Sequence, residues 1–151
     1  MLDPISIRLP WPPTVNTMWR TITKGRLAGR TLLSEQGREF RRQANLQVMA
    51  QRIPVHTLRG KLAVEIRTHA GDRRARDLDN LLKAPLDALK HAGVIDDDQH
   101  IDDLHIVRGD LCRESPHVVV TIREIPSAEL DLFEAPARRL TEEAHENGDG
   151  V

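Results

Sequence analysis

Apolar and polar residues alternate along two short stretches of the chain, which is typical of β-strands with one buried and one exposed face. In the second stretch Leu62, Val64 and Ile66 fall on one side, and charged residues occupy most of the other. The pattern predicts strands at residues 6–9 and 61–69, and two more strands are predicted near residues 101–108 and 117–124. Residues 109–116 would then be a hairpin loop that connects the last two strands.

Two other segments show the apolar spacing of amphipathic helices. The first helix is predicted from Glu35 to about Gln51, with Ser34 as its N-cap. The buried stripe of this helix is expected to consist of Phe40, Ala44, Val48 and Met49. The second helix is predicted over 78–92 and is followed by Gly93. Pro85 lies inside it and should kink the helix or lower its stability.

The predicted elements follow the order β-α-β-α-β-β, which indicates one small α/β (α+β) domain with two helices packed on a mixed sheet. Residues 14–33 are rich in glycine and basic residues and are expected to form a flexible basic loop or a hairpin. We place the domain at residues 1–125. Residues 126–151 show no sustained hydrophobic period and are predicted to be an acidic, disordered tail.

Composition narrows the class of protein. The chain of 151 residues has one cysteine, Cys112, so that neither an internal disulfide nor a zinc site built from several thiolates can form. It contains no apolar run of about 18 residues, and its first residues lack the pattern of a secretory signal. We therefore expect a cytoplasmic protein with no membrane partner.

Charge is strongly segregated, although the formal net charge is only −1. Residues 8–76 contain fifteen basic and four acidic side chains, whereas residues 77–110 contain nine acidic and three basic ones. A basic surface attracts polyanions such as nucleic acid. An acidic cluster beside it repels the same polyanion unless a hard divalent cation neutralises it. On charge alone, two solvated faces that bind nothing are an equally good interpretation.

Two groups of aspartates are the candidate metal ligands. Asp77 and Asp79 are two residues apart, so they share a side only if the pair straddles the start of the second helix. The aspartates 96–98 follow this helix, and one of them could approach Asp79. Three converging carboxylates repel one another without a cation, which favours Mg²⁺ or Mn²⁺. The alternatives are that Asp77 or Asp79 is only an N-cap and that the triple aspartate is a solvated loop.

Basic residues adjoin both acidic groups. Lys83 lies one turn after Asp79, where it would either stabilise negative charge on a reacting phosphate or form an ordinary ion pair with that aspartate. The neighbouring arginines could bind flanking phosphates, although a solvated turn would have the same composition. The candidate DNA contacts are Arg73, Arg74 and Arg76, together with Lys24, Arg26 and Arg30 in the upstream basic loop.

These motifs together resemble the RusA family of small Holliday-junction resolvases from bacteria and their phages. The similarity covers about residues 5–124. The motifs that carry it are Pro10-Trp-Pro-Pro13 with Asn16, Asp72-Arg-Arg-x-Arg-Asp-Leu-Asp-Asn-Leu-x-Lys83, Asp87-Ala-Leu89, Ala92-Gly93 and Asp97-Asp98. The chain departs from the enterobacterial members in lacking tyrosine, in having Pro85, and in its longer acidic tail.

The resemblance implies a homodimeric, Mg²⁺-dependent endonuclease, with Mn²⁺ as a substitute, that cuts paired strands of four-way DNA junctions in recombination and repair. The metal ligands carried over by position are Asp77, Asp79 and Asp98, with Asp97 as an alternative to the last. Lys83 corresponds to the essential lysine. Two alternatives stay open, a non-catalytic module that binds branched DNA and a family member that binds junctions without cutting them.

The tail holds one short motif. Residues 129–133 resemble the pentapeptide with which bacterial replication proteins bind the sliding clamp, with Glu in place of the usual Gln. Leu130, Leu132 and Phe133 would fill the apolar pocket of that partner. The favoured alternative is that these side chains fold back on the domain.

Overall fold

Six strands and three helices form the regular structure of residues 3–54, 58 and 60–126, the part of the chain that the computed structural model describes. The strands are β1 (Ile5–Pro10), β2 (Trp19–Thr21), β3 (Thr31–Leu33), β4 (Leu62–His69), β5 (Ile101–Arg108) and β6 (His117–Glu124). The helices are α1 (Val15–Met18), α2 (Glu35–Ala50) and α3 (Lys83–His91), and two 3₁₀ turns occupy Asp79–Leu81 and Asp98–His100. The four predicted strands are confirmed as β1, β4, β5 and β6.

The larger sheet is mixed and has the order β1-β6-β4-β5, in which only β4 and β5 are parallel. The predicted mixed sheet is therefore confirmed, but the predicted hairpin between β5 and β6 is wrong, because β4 lies between them. Val118, Val120 and Ile122 on β6 have no exposed surface, as suits an inner strand. On β5 the neighbouring Leu104 and His105, which point to opposite faces, are both exposed, as suits an edge. Burial, rather than proximity along the chain, thus decides the partners of β6.

Residues 109–116 cross the end of β4 instead of reversing the chain. The Gly109 N–H donates to the Thr68 carbonyl oxygen at 2.8 Å. A Cβ at Gly109 would lie 2.6 Å from Cε1 of His69, so this close approach requires glycine. The His69 ring also stacks on His117, with 4.6 Å between the ring centroids. The crossing is therefore fixed directly beside the end of β5.

Both long helices pack against the sheet and against each other. The side chains that share the core without exposed surface are Ile7, Leu9, Ile66, Leu89, Val118, Val120 and Ile122. This core is aliphatic, as a chain with only four aromatic residues requires. Among the described helices, none combines the length and apolarity needed to cross a membrane.

The start of α2 agrees with the prediction. The Oγ of Ser34 accepts a hydrogen bond from the Gly37 N–H at 3.0 Å, which makes Ser34 the N-cap. The predicted stripe is confirmed for its first three members, which are buried. Met49 is the exception and is 66% exposed, because it lies about 100° around the helix from its neighbour Val48.

The basic segment before α2 is a hairpin, one of the two predicted alternatives. β2 and β3 pair antiparallel, and the Ile22 N–H donates to the Arg30 carbonyl oxygen at 2.9 Å. Gly25 has a φ of 86°, which lets the tip reverse in a conformation that other residues rarely adopt. The short helix α1 was not predicted, since one turn leaves too little periodicity to detect.

The predicted second helix is divided. A 3₁₀ turn at Asp79–Leu81 precedes α3, which begins only at Lys83. Pro85 consequently lies in the first turn of α3, where a backbone N–H has no partner within the helix, so the predicted kink is wrong. Gly93 follows the helix with a φ of 74° and donates to the Lys90 carbonyl oxygen, as predicted for the residue that ends it.

Candidate active site

Asp77 and Asp79 lie where an irregular segment passes into the 3₁₀ turn before α3. Asp77 precedes the turn and Asp79 is its first residue, so the pair straddles the start of the helical segment. Both residues are exposed, and neither side chain has a hydrogen bond or ion pair with another described residue. The N-cap interpretation is wrong, because the cap positions are Leu78 and Leu82 and neither has a side-chain cap. These carboxylates are therefore available as ligands.

Arg76, directly before Asp77, is held by its side chain and by its backbone. Its Nη1 donates to Oδ1 of Asp72 at 2.7 Å, and its guanidinium lies 5.4 Å from the centroid of the Trp11 ring. Its carbonyl oxygen accepts a hydrogen bond of 2.6 Å from Nη2 of Arg108, at the end of β5. These three contacts connect the backbone that leads into Asp77 with the sheet.

Asp72 organises the turn of arginines. Its Oδ1 also accepts a hydrogen bond from the Arg74 N–H at 3.0 Å. The hydrogen bond from Arg76, assisted by that backbone N–H, lowers the pKa of Asp72 to about 2, and the same pairing raises the pKa of Arg76. Because Arg76 is engaged by Asp72 and Trp11, Arg73 and Arg74 are the more accessible of the predicted phosphate contacts.

A pocket of about 270 Å³ lies between this turn and the end of β5. The Arg74 side chain at its rim is 83% exposed, and its Nε is 3.7 Å from Oδ2 of Asp72. The charged residues that line the pocket are Asp72, Arg73, Arg74, Arg76 and Arg108. With four arginines and one aspartate the pocket is positive, which suits an anionic ligand.

Lys83 lies between two carboxylates. Its Nζ is 2.9 Å from Oδ1 of Asp87, one turn later in α3, and 3.8 Å from Oδ2 of Asp98. The alternative of a Lys83–Asp79 ion pair is wrong, because the lysine turns towards these two acids instead. The structure thus brings together two of the predicted site residues, Lys83 and Asp98.

Asp97 and Asp98 differ in how far they are already engaged. Oδ1 of Asp97 caps the second 3₁₀ turn by accepting from the Gln99 N–H at 3.1 Å, and its Oδ2 is 3.0 Å from Nζ of Lys90. Hydrogen bonding with Asp98, Lys90 and Gln99 keeps the pKa of Asp97 well below its usual range. Among the described residues, Asp98 shares the hydrogen bond with Asp97 and has the longer 3.8 Å contacts with Lys83 and Lys90. Asp98 is therefore the more available ligand.

The acids fall into two groups, Asp77 with Asp79 and Asp97 with Asp98. Among the described residues no three acid, histidine or cysteine side chains come close enough to hold a metal together. The donor set nevertheless fits Mg²⁺, which binds hard carboxylate oxygens and commonly takes only one or two of them besides water and substrate phosphate. Asp77 and Asp79 meet that requirement, since no described side chain competes for them.

The predicted basic loop lies on another element. Lys24, Arg26 and Arg30 are all exposed at the tip of the β2–β3 hairpin. The predicted clamp motif at 129–133, with Leu130, Leu132 and Phe133, and nearly all of the predicted tail lie outside the described residues.

Sequence reasoning missed the residues that support the acids. Trp11 and Asp72 belong to the motifs of the RusA resemblance, but their residue types suggest no role without the contacts. Lys90 lies at the end of a predicted amphipathic helix, where a lysine is ordinary. No local sequence pattern indicates the role of Arg108, because its hydrogen bond joins positions 32 residues apart.

Known proteins resemble the chain across this whole arrangement. The profile of the family described as Endodeoxyribonuclease RusA matches residues 10–123, which include every acid and arginine of the candidate site. A protein of Enterobacteria phage HK97 named crossover junction endodeoxyribonuclease rusA is 35% identical over 101 residues, or 67% of this chain and 79% of that protein.

Two further relatives carry the same name. The protein of Shigella sonnei (strain Ss046) is 36% identical over 107 residues, or 71% of this chain and 84% of its own length. The protein of Enterobacteria phage 82 is 36% identical over 102 residues, or 68% of this chain and 80% of its own. The family match and these relatives together show that the chain belongs to the RusA family of endodeoxyribonucleases.

Proposed function

We propose that this protein is a Mg²⁺-dependent endonuclease that resolves four-way DNA junctions in recombination and repair. The observation that carries the proposal is the pair of exposed, unengaged carboxylates, Asp77 and Asp79, beside an arginine-lined pocket. The names of the relatives, crossover junction endodeoxyribonuclease, support this choice of substrate. Such an enzyme acts on chromosomal or phage DNA in the cytoplasm.

Asp77 and Asp79 are the residues that would hold the metal in the arrangement described. Asp98, with Asp97 as its alternative, would have to approach them to complete the ligand set carried over from the RusA resemblance. When bound there, Mg²⁺ supplies Lewis-acid activation of water and of the scissile phosphodiester, and Mn²⁺ can replace it. The backbone before Asp77 is fixed by the hydrogen bond from Arg108. A fixed backbone holds the carboxylates in a ligating geometry at little entropic cost.

Lys83 supplies positive charge beside the reacting phosphate. Its ammonium group is oriented by Asp87 at 2.9 Å and remains 46% exposed, so it can turn to an incoming phosphate oxygen. A preoriented cation stabilises the charge that develops in the transition state.

The arginines position the substrate. Arg73 and Arg74 bind phosphates next to the cleaved bond, supported by Arg76, and Lys24, Arg26 and Arg30 on the hairpin bind phosphates farther along the DNA. Such contacts hold the DNA backbone without reading its sequence. Two copies of the chain, related by a two-fold axis, place one site on each of two strands of a junction that is itself nearly two-fold symmetric.

The test is cleavage of an end-labelled four-way junction and a matched linear duplex, with Mg²⁺ or with EDTA. We expect paired nicks in the junction alone, lost with EDTA and reduced on the order of 100-fold or more by Asp79→Asn, because the amide removes a ligand charge. Asp102→Asn is the matched control, since its carboxylate pairs with Lys61 at 3.0 Å and plays no part in the site.

Each failure has a distinct meaning. Junction binding without cutting under any divalent ion would replace the enzyme by a non-catalytic module that binds branched DNA. Cutting that survives Asp79→Asn would preserve the nuclease but disprove the assigned metal site.

A further inference from the structure

A second basic pocket lies between the two long helices and is lined by other residues than the candidate active site. It measures about 340 Å³ and is formed by the end of β3, residues 38–45 of α2 and the last residue of α3. The residues that line it are Leu33, Arg38, Arg41, Arg42, Asn45 and His91. Three of the six are arginines and none is acidic.

Arg41 is the unsatisfied member of this pocket. Its Nε is buried and has no hydrogen-bond partner, and the side chain forms no ion pair with a described residue. The residue is partly exposed, so only this N–H is cut off from water, and no protein group replaces the hydrogen bond that it has lost. An oxyanion in the pocket would accept hydrogen bonds from the accessible part of this guanidinium and neutralise its charge.

The two arginines beside it are fixed at the pocket wall by other contacts. Nη1 of Arg38 donates to the Leu33 carbonyl oxygen at 2.9 Å. Nη2 of Arg42 is 2.8 Å from Oε1 of Glu39, on the neighbouring turn of α2. These contacts hold two guanidinium groups next to Arg41 without neutralising it.

The position of the pocket suits DNA that also occupies the candidate active site. His91, at the pocket, ends the helix that Lys83 begins, and eight residues of α-helix separate them by about 12 Å along the axis. This separation corresponds to three or four base-pair steps of about 3.4 Å. β3 runs between the pocket and the basic tip of the hairpin, so one strand joins the two positively charged regions.

We propose that this pocket binds a backbone phosphate of a DNA arm, several steps from the cleaved bond. The proposal rests on the proposed function in that it takes DNA as the ligand, but it concerns a separate site and a binding role. Because a phosphate contact carries no sequence information, the pocket would set the position of an arm and not the choice of bases.

The test is binding of a labelled four-way junction by fluorescence anisotropy, in EDTA so that nothing is cut, over a series of KCl concentrations. Arg41→Met keeps most of the side-chain volume and removes the donors. We expect weaker binding and a shallower salt dependence, with the slope of log Kd against log salt smaller by about 1, because one phosphate contact is lost. Arg52→Met, with the same change of charge beyond the far end of α2, should bind like the unmodified protein.

Asn45→Asp is a second variant that is safe for folding, because Asn45 is exposed on α2. It places a negative charge at the pocket and should weaken binding in the same way. If Arg41→Met and Asn45→Asp, shown to be folded by circular dichroism, keep the original Kd and salt slope, the pocket is not a phosphate site. Cleavage assays of the unmodified protein test the proposed function separately. The phosphate site can therefore be disproved without disproving the nuclease, and the reverse.

Discussion

Arg108 is the side chain that ties the candidate metal ligands to the sheet. Its 2.6 Å hydrogen bond to the Arg76 carbonyl oxygen fixes the peptide directly before Asp77. Arg108→Met removes this donor, so the backbone at Asp77 should become less ordered and the metal should bind more weakly. We expect roughly tenfold weaker Mn²⁺ binding by calorimetry, the lower end of what is usual for residues that support metal ligands. Cleavage should recover as the Mg²⁺ concentration is raised.

Arg67→Met is the matched control for this prediction. Arg67 lies on β4, beside β5, and its side chain pairs with Glu65 at 2.9 Å. The control should bind Mn²⁺ like the unmodified protein. Equal metal affinity in Arg108→Met and Arg67→Met would show that Arg108 has no role in positioning Asp77, whatever its effect on thermal stability.

At the scale of elements, α3 carries the candidate lysine at its start and a core residue in its middle. Leu89 has no exposed surface, so Leu89→Ala should lower the free energy of unfolding by about 2–5 kcal/mol. Pro85→Ala should lower it by about 1–2 kcal/mol, because the buried ring loses two methylene groups but a proline in the first turn removes no helical hydrogen bond. Urea unfolding of both variants checks this contrast. A loss at Pro85→Ala as large as that at Leu89→Ala would mean that the proline also stabilises the start of α3 through its backbone.

The elements also show what the sequence can predict about this fold. The predicted bounds of β5 and β6 match the structure, although only β6 shows a two-residue pattern of burial. The same pattern does not say which strands are neighbours, and so the inserted position of β4 could not be foreseen. The division of the predicted second helix was equally hidden, since Leu81, Leu86 and Leu89 follow one apolar stripe through both the 3₁₀ turn and α3.

At the scale of the whole molecule, the spacing of residues along the chain predicts candidate site residues. Only the fold shows which other groups those residues contact. Asp77 and Asp79 are recognisable because the residues themselves are the proposed ligands. Arg108 and Arg41 are not, because one acts on a carbonyl oxygen far away in sequence and the other is notable only for the partner it lacks. The charge pattern alone does predict the general kind of site, since the basic residues 8–76 and the acidic residues 77–110 belong to one small domain.

The final prediction follows from the proposed homodimer, because two subunits related by a two-fold axis have one active site for each of two DNA strands. Differently tagged copies of the unmodified chain and of Asp79→Asn can be co-expressed and the mixed dimer purified through both tags. On a supercoiled plasmid with an extruded four-way junction, the unmodified dimer should produce linear DNA by cutting two strands. The mixed dimer should cut one strand and leave a nicked circle. Linear product from the mixed dimer at the original rate would mean that one subunit makes both cuts, and the paired-site arrangement would then be wrong.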